Sequence, residues 1–193
     1  MRRKDYLSTR EAAEALGVAV STVQLWANNG LLQAWRTGGG HRRITRESVE
    51  AMLNRRQADL GAASTDAAFS VVIVEDDEQQ MRLYSQHVQL HHGGARVITA
   101  HDGYEGLIKI GLHQPDVIIT DLVMPNINGF QMIRLLKDMP ELAHCVILVV
   151  TGLDRAEVER RGGLPEGVHL FFKPVDLVEL QPFLHKQPGV GVA

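Results

Sequence analysis

The sequence predicts an α/β protein: a five-stranded, parallel, doubly wound sheet preceded by a small helix-turn-helix unit with a hairpin wing. Three observations predict it. From Phe69 onward, apolar runs of strand length alternate five times with stretches of helical period. Before residue 57, two short helical patterns lead into a period-two stretch around Thr37-Gly38-Gly39-Gly40. The charge also changes sign: residues 1–56 carry a net +5 and residues 57–193 a net −8, within a chain of net charge −3. Such asymmetry suits one part that meets a polyanion and another with a different task.

The N-terminal elements follow in order. Ser8 and Glu11 stand at capping-box spacing, so a helix starts near Ser8, with Ala12, Ala13 and Leu16 as its apolar stripe and Gly17 as its stop. A second helix is predicted over Val20–Asn28, ended by Asn29-Gly30. Its polar face offers Ser21, Thr22 and Gln24, side chains able to contact base edges or phosphates. Leu31–Arg36 and His41–Ile44 read as two short strands around the glycine turn. Arg36, His41, Arg42 and Arg43 make that hairpin a cationic finger suited to phosphates or a narrow minor groove. The loop lacks the Lys-Ser/Thr ending of a nucleotide-cradling loop. A last helix from Thr45 to Arg56 turns Val49, Met52 and Leu53 inward, and Trp26 and Trp35 are assigned to the core. Gln57–Ala68 is small, polar and aperiodic and reads as a linker, with continuation of the helix through Ala62 as the alternative.

In the second part, strands are predicted at Phe69–Val74, Ala95–Ala100, Val117–Thr120, Val146–Val150 and His169–Phe172. Helices are predicted at Glu78–Leu90, Tyr104–Leu112, Gly129–Lys137, Ala156–Arg161 and Leu177–His185. Gly162-Gly163 and Pro165 mark the fourth of these as mobile or shortened. The domain division is therefore 1–56, linker 57–68, second domain 69–187 and tail 188–193.

Composition bounds the function. With 45% hydrophobic and 22% charged residues over 193 positions, the chain is neither fibrous nor largely disordered. No apolar run approaches a membrane span and no signal peptide follows the basic N-terminus. The lone Cys145 excludes an internal disulfide framework and suits a reducing, cytoplasmic setting. No nucleophilic triad or dyad is present, so the chain is not expected to be an enzyme. His87 and His91 are four apart on a helix, a weak metal pair without a third ligand, and are assigned to a solvated face.

Sites in doubly wound sheets lie beyond the carboxyl ends of the strands. Here the first strand ends in Glu75-Asp76-Asp77, the third in Asp121, the fourth in Thr151 and the fifth in Lys173-Pro174. Clustered carboxylates repel one another, and a hard cation such as Mg²⁺ relieves the repulsion. Asp121 can then attack phosphorus and hold an acyl phosphate, with Thr151 and Lys173 neutralising the phosphoryl oxygens.

Two resemblances attach to these residues. Ser8-Thr9-Arg10-Glu11-Ala12-Ala13, Leu16-Gly17-Val18, Ser21-Thr22-Val23 and above all Thr37-Gly38-Gly39-Gly40-His41-Arg42-Arg43-Ile44 resemble the winged helix-turn-helix of MerR and excisionase-type modules. That implies a recognition helix at 20–28 and a wing at 35–44 on double-stranded DNA. Val20 and Ala19 depart from the family's usual basic and capping residues, and the long dimerisation helix of full MerR regulators is missing. Val72–Asp77, Asp121–Gly129, Val150-Thr151-Gly152 and Phe172-Lys173-Pro174 resemble the flavodoxin-like receiver domain of bacterial response regulators. The separations of 30 residues from Asp121 to Thr151 and 22 from Thr151 to Lys173 suit that family.

The second resemblance implies Glu75, Asp76, Asp121 and the Val123 carbonyl as the Mg²⁺ site, Asp121 as phosphoacceptor, Thr151 as switch hydroxyl and Lys173 as phosphate-binding base. It also implies a sensor histidine kinase or phosphotransfer protein as donor, and a homodimer formed through the receiver. Leu170 stands where receivers carry Tyr or Phe, and the pleat turns Phe171 to the other face, so an altered or weak readout is expected there. The combined expectation is a two-component response regulator acting on transcription. The alternative is a receiver-based protein-interaction adaptor with weak or phosphorylation-independent switching, its basic N-terminal unit meeting protein.

Overall fold

A computed structural model describes residues 5–60, 69–125 and 128–184. The N-terminal unit runs β1 (Tyr6–Ser8), α1 (Thr9–Leu16), α2 (Val20–Asn28), β2 (Ala34–Arg36), β3 (Arg42–Thr45) and α3 (Arg46–Leu60). Ser8 caps α1 as its spacing requires: Glu11 N–H donates to Ser8 Oγ, and Ser8 N–H donates to Glu11 Oε2. Gly17 ends the helix at φ 72°, a left-handed conformation that costs a residue without Cβ nothing. The three strands pair antiparallel in the order β1-β3-β2.

Four points differ from expectation here. Strand β1 escaped the periodicity reading because three residues carry too little pattern. The first wing strand covers only Ala34–Arg36, since Leu31 and Leu32 are drawn under α2 by backbone bonds to Trp26 O. Trp35 is 44% exposed, its ring edge-on to Tyr6, and is not a core residue. Helix α3 runs to Leu60, four residues into the stretch read as linker. The rest of that stretch, residues 61–68, and the tail lie outside the described residues.

The second unit is β4 (Ser70–Val74), α4 (Glu78–His91), β5 (Arg96–Ala100), α5 (Gly103–His113), β6 (Val117–Thr120), α6 (Gly129–Lys137), β7 (Val146–Thr151), α7 (Arg155–Arg160) and β8 (Val168–Phe172). The sheet is parallel throughout, in the order β5-β4-β6-β7-β8. Alternation along the strands sends Val72, Val74, Ile118, Ile147 and Val149 to the face covered by α5, α6 and α7. Val71, Ile73, Ile119, Leu148 and Val150 turn to α4 and to the segment Leu177–Phe183.

The fifth helix is a correction. Leu177–Phe183 forms 3-10 turns instead of an α-helix, because Pro182 lies inside it and can neither donate a backbone N–H nor admit the preceding turn. Leu180 and Leu184 are nevertheless buried in the core. Helix α7 is short, closed by Gly162 and Gly163 at positive φ. The apolar core of the N-terminal unit is continuous with the α5 side of the sheet through Trp26, Leu112 and their neighbours. No helix among the described residues is long and apolar enough to cross a membrane.

Candidate functional site

The carboxyl ends of β4, β6, β7 and β8 bring the expected side chains to one edge of the sheet. Glu75 follows β4 and is 1% exposed; Asp121 follows β6 and is 7% exposed. Lys173 follows β8, and its ammonium lies 2.8 Å from Glu75 Oε2 and 2.8 Å from Asp121 Oδ2. Asp121 Oδ1 accepts the Leu122 and Val123 N–H groups, which fixes the carboxylate and leaves Oδ2 on the Lys173 side. Glu75 Oε1 accepts the Asp77 N–H. Thr151 ends β7 fully buried, its Oγ1 accepting from Leu153 N–H, and its carbonyl holds the Lys173 N–H at 2.8 Å. Asp76 is exposed beside Glu75, and Asp77 caps α4 through Gln79 and Gln80 N–H.

Burial pushes the Glu75 carboxyl above its usual range despite the Lys173 ammonium beside it. For Lys173 burial acts the other way, and the bonds to Asp121 and Glu75 outweigh it and raise its pKa. The pair thus strongly holds the lysine's proton, while it only partly offsets the desolvation of Glu75. Gly129, the first residue of α6, belongs to this site as well: a Cβ there would lie 2.4 Å from the Asp121 carbonyl oxygen. Sequence reading missed that role, although the glycine's place at a helix start after a strand end was its signal.

The residues suit a hard divalent cation. Glu75 and Asp121 share one ammonium and Asp76 stands beside them, which leaves unbalanced carboxylate charge at oxygen ligands of the kind Mg²⁺ takes. Among the described residues no closed three-ligand cage is preformed. Mg²⁺ uses one or two carboxylates and completes its shell with water and phosphate oxygens, so a closed cage is not required.

The basic face is sorted differently. Ser21, Gln24 and Asn28 are exposed along one side of α2, and Arg36 and His41 are exposed on the wing. A polar cleft of about 350 Å³ between helix and wing is lined by Thr9, Gln24, Asn28, Arg36, Gly40, His41 and Arg42. Arg42 is half-buried and donates to Asn28 Oδ1 at 2.6 Å and to Gln24 O at 3.2 Å, so it joins wing to helix. Arg43 lies over the Tyr6 ring.

Thr22 corrects the sequence reading: it is 1% exposed and donates to Glu141 Oε1 of the second unit, so it faces away from this cleft. The helical period explains the error, since Thr22 shares a side with buried Val23 and Trp26. Asn28 was overlooked, although it stands four residues after Gln24 and therefore on the same face.

Leu170 packs into the apolar core on the α7 side while Phe171 turns to the opposite cluster, as the pleat requires. His87 is buried against the His91 ring, not on a solvated face, and burial lowers its pKa. Cys145 is a buried thiol pushed up to about 12 by burial and by Asp116 nearby, which fits a packing role.

Comparison with known proteins agrees with this geometry. The family model described as response regulator receiver domain matches residues 71–185, and one described as helix-turn-helix domain matches residues 6–57. The chain is 34% identical to the polar-differentiation response regulator DivK of Brucella anthropi over 48% of its own length and 73% of DivK. It is 34% identical to the response regulator PleD of Caulobacter vibrioides over 57% of its own length. That match spans only about a quarter of PleD. Among solved structures, the receiver domain of a DNA-binding response regulator (merR) from Colwellia psychrerythraea matches with a TM-score of 0.52 at 26% identity. It covers 59% of this chain and 93% of that one. The chain belongs to the response regulator receiver family and carries a helix-turn-helix domain before the receiver.

Proposed function

We propose that this protein is a DNA-binding transcription regulator of a two-component system, phosphorylated on Asp121 by a sensor histidine kinase or a phosphotransfer protein. The observation that carries the reading is the shared ammonium: Lys173 Nζ at 2.8 Å from both Glu75 and Asp121, on residues from three different strand ends. A carboxylate oxygen of Asp121 attacks the phosphorus of a phosphohistidine. The P–O bond forms, the P–N bond breaks and its electron pair leaves with the imidazole nitrogen. Lys173 is placed to move from Glu75 and Asp121 to a phosphoryl oxygen, and the Thr151 hydroxyl to bond another. Glu75, Asp76, Asp121 and the Val123 carbonyl would hold Mg²⁺, which supplies charge neutralisation at the phosphoryl oxygens.

In the N-terminal unit, of MerR/excisionase type in this reading, Ser21 and Gln24 on α2, joined by Asn28, face DNA. Arg36, His41 and Arg43 on the wing meet its phosphates, and Arg42 braces wing against helix. The protein acts in the cytoplasm as a regulator without enzymatic output, and two copies pair through the receiver. The test is intact mass after acetyl phosphate with Mg²⁺: wild type gains one phosphoryl group and Asp121→Asn gains none. A gain that survives the substitution removes Asp121 from its role.

One observation favours a second reading. With Leu170 packed on the α7 side where a switch ring is expected, and 3-10 turns replacing the last helix on the opposite face, phosphorylation has less to move around β8. The receiver would then serve as an adaptor whose contacts do not change on phosphorylation. Affinity for a DNA duplex that falls steeply with salt supports the regulator, and affinity indifferent to salt supports the adaptor.

A further inference from the structure

The side of α2 that turns away from the cleft does not face solvent. Trp26 is fully buried, and a Cβ at Gly111 in the last turn of α5 would lie 2.3 Å from its Cζ2 atom. The indole therefore occupies the space that a side chain at that helical position would take. Glycine inside a helix is less stable than alanine, and here the packing accounts for its presence. Beside it, Thr22 Oγ1 donates to Glu141 Oε1 at 2.5 Å. Gln114, one residue past α5 and at φ 47°, donates from Nε2 to the Gly17 carbonyl in the α1–α2 turn at 3.1 Å. Three contacts thus tie α2 and its preceding turn to the C-terminal end of α5 and to the Pro140–Leu142 turn.

The same helix keeps Ser21, Gln24 and Asn28 exposed. Their side of the helix and the docked side carry different residues, so docking and presentation do not compete.

We propose that the receiver holds the helix-turn-helix unit by an indole-in-glycine latch, Trp26 against Gly111 reinforced by Thr22–Glu141, and that the latched form is the form that meets DNA. The receiver then acts on a reading head already mounted with its contact face outward, not by uncovering a shielded helix. The latch is not fully satisfied: Trp26 Nε1 and Glu141 Oε2, a donor and an acceptor from its two sides, are buried without partners. Buried polar atoms left unpaired weaken the contact, so it is held by apolar fit and can be opened by one substitution. The second half of the proposal rests on the reading of the α2 cleft face as the DNA-binding face; the latch itself does not.

The experiment uses the full chain with Trp35→Phe, which leaves Trp26 as the only indole. Acrylamide quenching reports its burial, and the anisotropy of a labelled mixed-sequence duplex reports binding. In this background Trp26 should resist quenching. Adding Gly111→Leu should raise the quenching constant severalfold, while duplex affinity stays equal or falls. If Gly111→Leu loses cooperative unfolding, Glu141→Ala, which removes only the Thr22 partner, should still raise quenching and should not strengthen duplex binding.

A Trp26 already freely quenched before the latch is altered overturns the latch, as does quenching that neither variant changes. Duplex binding at least about threefold tighter in an opened variant, near 0.7 kcal/mol, shows a shielding dock and overturns the second half. A shielded Trp26 in a protein that binds no duplex refutes the DNA reading and leaves the latch standing.

Discussion

At the strand tips, Glu75 and Asp121, which follow β4 and β6, are buried and share the single ammonium of Lys173. On the N-terminal face, Arg36 and His41 stand in solvent, while Arg42 is committed to Asn28 and Arg43 lies over the Tyr6 ring. Both regions are read as phosphate-binding, yet their energetics differ. In the pocket each charge is mostly desolvated, so removal of one strands the others. On the open face each cation acts through its own phosphate, with nearly additive effects governed by salt.

That contrast is broken or sharpened by substitution. Lys173→Ala leaves Glu75 and Asp121 adjacent and uncompensated, and should destabilise the receiver by about 3 kcal/mol at neutral pH, read from the denaturant midpoint. A loss no larger than that of a surface lysine would erase the distinction. Gly129→Ala drives a methyl group into the Asp121 carbonyl and the Leu122 backbone. It should cost about 1–3 kcal/mol and slow phosphoryl gain from acetyl phosphate.

On the other face, Arg36→Ala should leave stability unchanged and lower the slope of log affinity against log salt by about one. Arg42→Ala should lower affinity for all duplexes by more than Arg36→Ala does, because the wing loses its tie to α2. Equal behaviour of the two arginine variants would show that the Arg42–Asn28 contact contributes nothing.

The smallest effect concerns His87. Burial, then the neighbouring His91, lowers its pKa from its ordinary 6.5, so the unfolded chain takes up the proton more readily. Its stabilising contribution is present above about pH 6.5 and is lost as pH falls through the lowered value. His87→Gln should flatten the fall of stability that sets in as pH drops below about 6.5. An unchanged pH profile would place the sensitivity elsewhere.

Much of both regions was legible in the chain. The Ser8/Glu11 cap, the bounds of α2 at Val20 and Asn28, and the ends of β6 and α6 all match their expected positions. Each rests on local chemistry, a cap or a strand-length apolar run, that needs no distant partner. The pocket was legible because parallel strands deliver their carboxyl ends to one edge, which converts four separate motifs into one site. The failures are equally specific. Trp35 is apolar in a strand yet lies on the outer side of a three-stranded sheet, against Tyr6. The turns after Leu177 have helical spacing, but Pro182 denies them an α-helical bond.

The sequence by itself determined which residues carry charge and hydroxyl chemistry, where the strands stop, and that an acidic domain follows a basic one, because period, caps and net charge are properties of the chain. Only the tertiary structure decided that Thr22 bonds Glu141 across 119 positions while Gln24 and Asn28 stay open, and that a glycine in α5 receives Trp26. Those outcomes depend on which side of a short helix meets another surface. Helical period names two sides of α2, and only the packing partner chooses between them.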